Sequence, residues 1–297
     1  MHITVIIPHF NQEDYLRKCL ERLHTQRNYG AMIEIIVVDN GSHRTPDTVC
    51  AAFPGVRLLQ EGIPGPGPAR NTGAAAAKGD VLAFIDADCH ADAGWLSAIE
   101  EHFKNPSTQI IGGDVRVGYA DPTRPTFLEP YEAIYSYRNE KHIAEGFSGT
   151  GNLAMRPEIL QHVGPFADIS IAEDRDWGLR AKTIGYRIDY LPSMIVYHPA
   201  RKTFAELTRK WDRHIAHDYL ERATSAQGKA AWLARTIAMA GSPIIEIPEI
   251  LMSRRVAGWK ERGTAFVCLC AVRLYRSQAM LGTMIRGNNR AAGAWRS

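Results

Sequence analysis

The chain has 297 residues, 45% hydrophobic and 23% charged, which is ordinary globular usage with room for one large domain or one domain with an appendage. A formal net charge of +3 and the lack of any RNA- or DNA-binding motif exclude a nucleic-acid binder. The five cysteines are scattered and odd in number, which argues against a disulfide framework and for buried apolar thiols in a reducing compartment.

Ile3 to Ile7 reads as a buried strand ending at Pro8, with no basic region and long apolar stretch that would mark a signal peptide. Leu16, Leu20 and Leu23 then repeat at helical spacing, and Glu34 to Val38 is a second strand that runs into Asp39-Asn40-Gly41-Ser42. This β-α-β opening favours a parallel sheet. A weaker helix and a short strand (Val56 to Leu59) lead to an alanine-rich helix from Ala69 to Lys78, with Gly79 as its terminator. Strand 81–85 follows. Beyond it the pattern predicts a helix over 93–104, strands over 110–119, and a connector with Phe127, Tyr131, Tyr135 and Tyr137. A strand over 150–155, a helix from 173 to 184 ending at Gly185, and strand structure within Tyr186 to Tyr197 come next. From about 203 the chain reads as helical. No charge-free window of about 18 residues exists, so no membrane span is expected.

Two acidic clusters carry the chemistry. Asp86-Ala87-Asp88 stands where the apolar run 81–85 ends, and the C-terminal ends of strands are where open α/β sheets bind ligands. Two carboxylates one residue apart can hold a divalent cation against a diphosphate. Glu173-Asp174-Arg175-Asp176 opens a helix, with more acid than the helix dipole calls for. An acid there is a candidate general base. Asp39, in a turn-like run, is either a turn or cap residue or an acceptor for a nucleotide's base or ribose. Gly65-Pro66-Gly67-Pro68-Ala69-Arg70-Asn71 fails the dinucleotide fingerprint, because position 70 is Arg and the loop does not follow the first strand. Arg70 and Asn71 either cap and pack or face a nucleotide. His198, after the strand Met194 to Tyr197, is either a core-edge histidine or a third metal ligand.

In order and spacing these segments resemble the family-two inverting glycosyltransferases of the GT-A fold, over roughly residues 1–215. The resemblance rests on Val5-Ile6-Ile7-Pro8 with Asn11, Val37 to Ser42, Ala69-Arg70-Asn71-Thr72-Gly73 and Phe84 to Asp88. It continues through Gly151-Asn152-Leu153-Ala154-Met155-Arg156, Ala172-Glu173-Asp174 and Tyr197-His198. It implies an α/β fold with a mostly parallel, Rossmann-like sheet flanked by helices, and a C-terminal helical extension. It implies a nucleotide-sugar donor, often a UDP-sugar, with Asp39 and Arg70 at the base and Pro8 and Asn11 near the nucleotide. Asp86 then looks like the ribose- or metal-side acid beside Ala87, Asp88 like the direct ligand of Mn²⁺ or Mg²⁺, and His198 like a metal or diphosphate contact. Asp174 matches the family's base, with Glu173 beside it. Asn152, Asp176, Trp177 and Trp211 are acceptor-side candidates.

Processive members carry Gln-x-x-Arg-Trp and several membrane spans. Here only Arg209-Lys210-Trp211 stands at that place, so a single addition is expected. The acceptor class implied is a sugar or a lipid-linked hydroxyl in cell-surface glycan or glycolipid synthesis. Rival readings are nucleotidyl transfer on a similar scaffold, which gives Asp174 no role, and a non-catalytic nucleotide-sugar-binding protein, which needs no base. The expected division is a transferase domain over 1–222 and a helical region over 223–297. Its apolar residues, interleaved with Arg235, Glu246, Arg254 and Arg255 and followed by an acid-poor tail with Arg286, Arg290 and Arg296, read either as a packed subdomain or as helices on an anionic membrane surface. The expected location is cytoplasmic, peripheral to the inner face of the membrane in the second reading.

Overall fold

The structure, a computed structural model, describes residues 1–26 and 32–286, so Arg290 and Arg296 of the basic tail, and the side chains of Lys210 and Arg286, lie outside the described set. In chain order the elements are β1 (His2–His9), α1 (Glu13–His24), β2 (Met32–Asp39), α2 (Asp47–Ala51), β3 (Val56–Gln60), α3 (Pro66–Ala76), β4 (Val81–Ile85), β5 (His90–Ala91), α4 (Trp95–Phe103) and β6 (Ile110–Gly118). Then come α5 (Glu129–Tyr135), α6 (Asn139–Glu145), β7 (Asn152–Met155), α7 (Pro157–Val163), α8 (Glu173–Thr183) and β8 (Asp189–Pro199). The helices α9 (Phe204–Arg222), α10 (Ala226–Gly241), α11 (Ile247–Met252) and α12 (Gly258–Arg286) follow, with a single tight turn of helix at Ser242–Ile244 before α11.

The chain divides into two compact units. One contains residues 1–118 and 138–199, the other 119–137 and 200 onward. The division therefore falls at 199/200 rather than at the expected 222/223, and the second unit also takes in 119–137. The physical reason is that α12 packs against α9 and α5 as well as α10.

The first unit is built on an eight-stranded sheet in the order β3-β2-β1-β4-β7-β6-β8-β5. The β1–β2, β1–β4, β2–β3 and β6–β8 pairs are parallel, and β4–β7, β6–β7 and β5–β8 are antiparallel. Both sheet faces are covered, which is why the strands read as unbroken apolar runs. Ile3, Val5 and Ile7 join Leu16, Leu20 and Leu23 of α1 in one cluster, while Ile6, Leu82 and Phe84 join Trp177 and Ala181 of α8 in another. Each such buried side chain contributes about 1.5–3 kcal/mol.

Two expectations about elements change. The alanine-rich helix begins earlier, at Pro66, because proline is tolerated in a first turn, and it ends at Ala76. Gly79 serves β1 instead, since a Cβ there would lie 2.6 Å from the Thr4 backbone nitrogen. The aromatic connector contains a helix, α5. Its Glu132 is fully buried, pairs with the Arg201 guanidinium and accepts the Arg201 backbone N–H at 2.7 Å.

Candidate active site

The site collects at the C-terminal ends of parallel strands. Register aligns His9 at the end of β1 with Asp39 at the end of β2, and β4 delivers Asp86-Ala87-Asp88 beside them. The short β5–β8 ladder, in which His90 faces Tyr197, brings His198 next to Asp88.

At the β1–β2 end, His9 is buried and its Nδ1 lies 2.9 Å from Asp39 Oδ1. The backbone N–H of Gln12 donates to His9 Nε2 at 3.1 Å. That donor fixes the tautomer: Nε2 accepts, so Nδ1 carries the hydrogen that Asp39 receives. The other oxygen of Asp39 accepts the Ser42 N–H at 3.2 Å. Asn11 holds φ at 53°, a left-handed value that asparagine tolerates better than other side chains. There its N–H donates to Ser42 Oγ and its Oδ1 accepts the His43 N–H, both at 2.9 Å. Pro8 lies in β1 opposite Val38. Asp39 and Asn11 thus build the loop pair before they meet any ligand.

Asp86 and Asp88 are both partly accessible, while Ala87 between them is buried in the core. Asp86 sits against Gly151, where a Cβ would come within 2.5 Å of its Oδ2. Arg70 reaches Asp86 from α3: Nη2 donates to Asp86 Oδ1 at 2.6 Å, and Nη1 donates to Glu173 Oε1 at 2.9 Å. One guanidinium, 3% exposed, therefore joins the two acidic clusters. Burial works against its charge, but Asp86 and Glu173 outweigh that and push the Arg70 pKa up. Its Nε is buried without a hydrogen-bond partner.

Asp88 Oδ2 lies 3.4 Å from His198 Nε2, and Gln12 Nε2 donates to the same oxygen at 3.5 Å. His198 Nδ1 donates to the Pro199 carbonyl at 2.8 Å, which in the neutral ring leaves the Nε2 lone pair facing the carboxylate. Two acceptors converging in this way fit a shared cation, and a carboxylate–imidazole pair suits Mn²⁺ or Mg²⁺. Burial raises the Asp88 pKa, His198 opposes the shift, and the Asp86 charge adds to it. Among the described residues, Asp88, Cys89 and His198 form a group with ligand atoms within 4.8 Å of one another. Burial, reinforced by Asp86 and Asp88, drives the Cys89 thiol well above its usual pKa, so Cys89 stays a protonated, apolar neighbour.

Asp174 is half-buried, and its Oδ1 accepts the local Arg175 N–H at 2.7 Å. Asp176 forms a pair with Arg180 one turn along α8.

Several expected contacts are structural instead. Asn71 is a two-point clasp on the backbone of Phe166, donating to its O at 2.8 Å and accepting its N–H at 2.9 Å. Asn152 is fully buried, accepts Trp95 Nε1–H and donates to the Asp114 and Met194 carbonyls, each at 2.8 Å. Trp177 is a core ring against Phe166, with its Nε1–H on Gly164 O. Trp211 belongs to the helical unit, where the Arg276 guanidinium stacks 3.8 Å from its ring centroid. In this structure the polar atoms or ring faces of these four are engaged within the protein. The sequence reading missed His9, Gln12 and Gly151. Only Gly151 left a sequence signal, as the glycine preceding a buried strand.

This geometry agrees with what the chain resembles. The profile of glycosyl transferase family 2 matches residues 4–164, and the chain belongs to that family. Glycosyltransferase AglE of Haloferax volcanii is 31% identical over 215 residues, 70% of each protein. The pre-mycofactocin glycosyltransferase of Mycobacterium tuberculosis is 29% identical over 67% of this chain, which spans only 43% of that relative. Among solved structures, the mannosyltransferase PcManGT from Pyrobaculum calidifontis, in complex with GDP-Man and Mn²⁺, superposes with a TM-score of 0.57 at 15% identity, covering 95% of this chain and 86% of that one. Residues 1–349 of S. aureus TarS, in complex with UDP-GlcNAc, give 0.53 at 16%, covering 97% and 92%. At such identities the superpositions establish the GT-A fold. The family profile ends before Asp174 and His198, so their roles rest on geometry.

Proposed function

We propose that the chain is a metal-dependent, inverting glycosyltransferase that moves one sugar from a nucleotide-diphosphate donor to an acceptor hydroxyl. The observation that carries this reading is the Arg70 bridge, which sets the strand-end acids and the acid cluster of α8 at one place. Asp39 retains lone pairs for a nucleobase N–H beyond those used by His9 and Ser42. Asp88 and His198 would hold Mn²⁺ or Mg²⁺, which when bound neutralises diphosphate charge and improves the leaving group. Asp174 is assigned as the base that takes the proton of the acceptor hydroxyl, because Glu173 and Asp176 are committed to arginines. Removal of that proton as the oxygen attacks the anomeric carbon gives a single displacement and inversion. Uridine and guanosine donors both deserve testing, since TarS and PcManGT carry UDP-GlcNAc and GDP-Man. The acceptor class is a sugar or lipid-linked hydroxyl.

The test is a panel of UDP- and GDP-sugars, scored for release of nucleoside diphosphate with and without Mn²⁺. Asp174→Asn should keep donor binding and lose about 10²–10⁴ in rate. Release of pyrophosphate would instead establish nucleotidyl transfer, and normal turnover by Asp174→Asn with a dead Asp176→Asn would move the base to Asp176.

A further inference from the structure

Within the helical unit, α10 turns an apolar, nearly charge-free face outward. Its inner stripe is Trp232, Thr236 and Met239, all buried against the unit's own core. One residue further round stand Leu233 and Ile237, and the turn beyond carries Ile244 and Ile245, all exposed, with Ile245 at 82%. Between 230 and 245 the single charged residue is Arg235, which pairs with Asp218. The exposed apolar run continues through Leu251 and Met252 in α11 to Trp259 at the start of α12, 79% exposed. A solvent-facing helix surface ordinarily carries charge, and an exposed apolar run of this length marks an interaction site.

The surrounding charges say what covers it. Residues 223–286 hold nine Lys and Arg against three Glu, so this stretch is strongly basic. Of the glutamates, Glu246 pairs with Arg273, and Glu261 accepts from Tyr119 and from the Ala257 N–H. Arg254 and Lys260 are exposed beside Met252 and Trp259. Apolar side chains, a tryptophan and flanking basic residues are the combination that seats helices in the headgroup region of an anionic bilayer. Among the described residues no helix is long and apolar enough to cross a membrane. We infer that the outward face from Leu233 to Trp259 docks the protein peripherally on an anionic lipid surface, with the isoleucines inserted and Arg254 and Lys260 against the headgroups.

A second copy of the chain is the rival occupant, because Val267, Leu274 and Leu281 are exposed at the seven-residue spacing that helix pairing uses. The experiment is co-sedimentation of the full chain with vesicles of phosphatidylcholine alone and of phosphatidylcholine with phosphatidylglycerol, in low and high salt. Binding should require the anionic lipid and weaken with salt. Ile244→Glu with Ile245→Glu should abolish it. These positions are on the surface, so the fold should survive, and circular dichroism checks that. Arg254→Ala and Lys260→Ala should each weaken binding to anionic vesicles about fivefold while leaving the apolar face intact. No binding to either vesicle, or equal binding to both, overturns the inference. So does a dimer in sedimentation equilibrium that the glutamate variant dissociates, if the unsubstituted chain ignores anionic vesicles.

Discussion

Arg70 and Glu173 are 103 residues apart in sequence and meet in a 2.9 Å ion pair, while the other arm of the same guanidinium holds Asp86. Glu173 is thereby committed to orientation, and its neighbour Asp174 is left on the half-buried side of the first turn of α8. An arginine can do this because its planar fork serves two carboxylates at fixed angles.

Arg70→Lys should therefore be costly although it keeps the charge. A lysine ammonium is a single point that cannot reproduce both contacts, so Asp86 or Glu173 shifts. The expected result is a folded protein with kcat down about 10²-fold, the scale of an ångström-sized misplacement. An unchanged kcat would show that the bridge does not position the site.

Asp88 gives a pH dependence with a definite sign. Burial raises its pKa, so protons compete with a cation for this carboxylate at higher pH than at an exposed aspartate. Mn²⁺ affinity measured by calorimetry should fall as pH drops through that raised value. At neutral pH the buried charge costs stability in the metal-free protein, so Mn²⁺ should raise Tm, and more at pH 7 than at pH 5. Asp88→Asn should remove the pH dependence and the Tm shift together.

Gly151→Ala tests the close approach to Asp86. The new Cβ would lie 2.5 Å from Asp86 Oδ2 and 3.0 Å from its Cγ, and Arg70 keeps that carboxylate from swinging away. A loss of about 1–3 kcal/mol of stability is expected, with a raised donor KM. Wild-type values for both would mean the strand end relaxes freely.

Glu132→Ala addresses the helical unit alone. It would leave Arg201 without its buried partner and should cost about 3 kcal/mol, read from urea unfolding. Glu132→Gln, which keeps one acceptor, should cost less.

The unbroken apolar strands and the acids at their ends were legible because their pattern is local. Leu16, Leu20 and Leu23 face inward as their spacing predicts, and Asp86 and Asp88 follow the end of β4. Whether a polar side chain faces a ligand or its own backbone was not legible. Asn71 and Asn152 sit in motifs that suggest binding, yet Asn71 spends its amide on the backbone of Phe166, 95 residues away, and Asn152 on the Trp95 indole N–H and two backbone carbonyls. His9 was missed for the same reason: its partner Asp39 becomes a neighbour only when β1 and β2 register.

The strand order also governs how the site comes into being. β1 pairs with β2 and β4, but β4 reaches β6 only through β7, and β8 then joins beyond β6. His198 comes beside Asp88 where β8 pairs with β5, a pairing between segments more than a hundred residues apart. A nascent chain emerging as far as β5 would hold Asp88 without the His198 imidazole that pairs with it. Such distant pairings are slow to form. In refolding, the capacity to bind a cation should accordingly return well after helical signal, making Mn²⁺ binding a late reporter of native assembly.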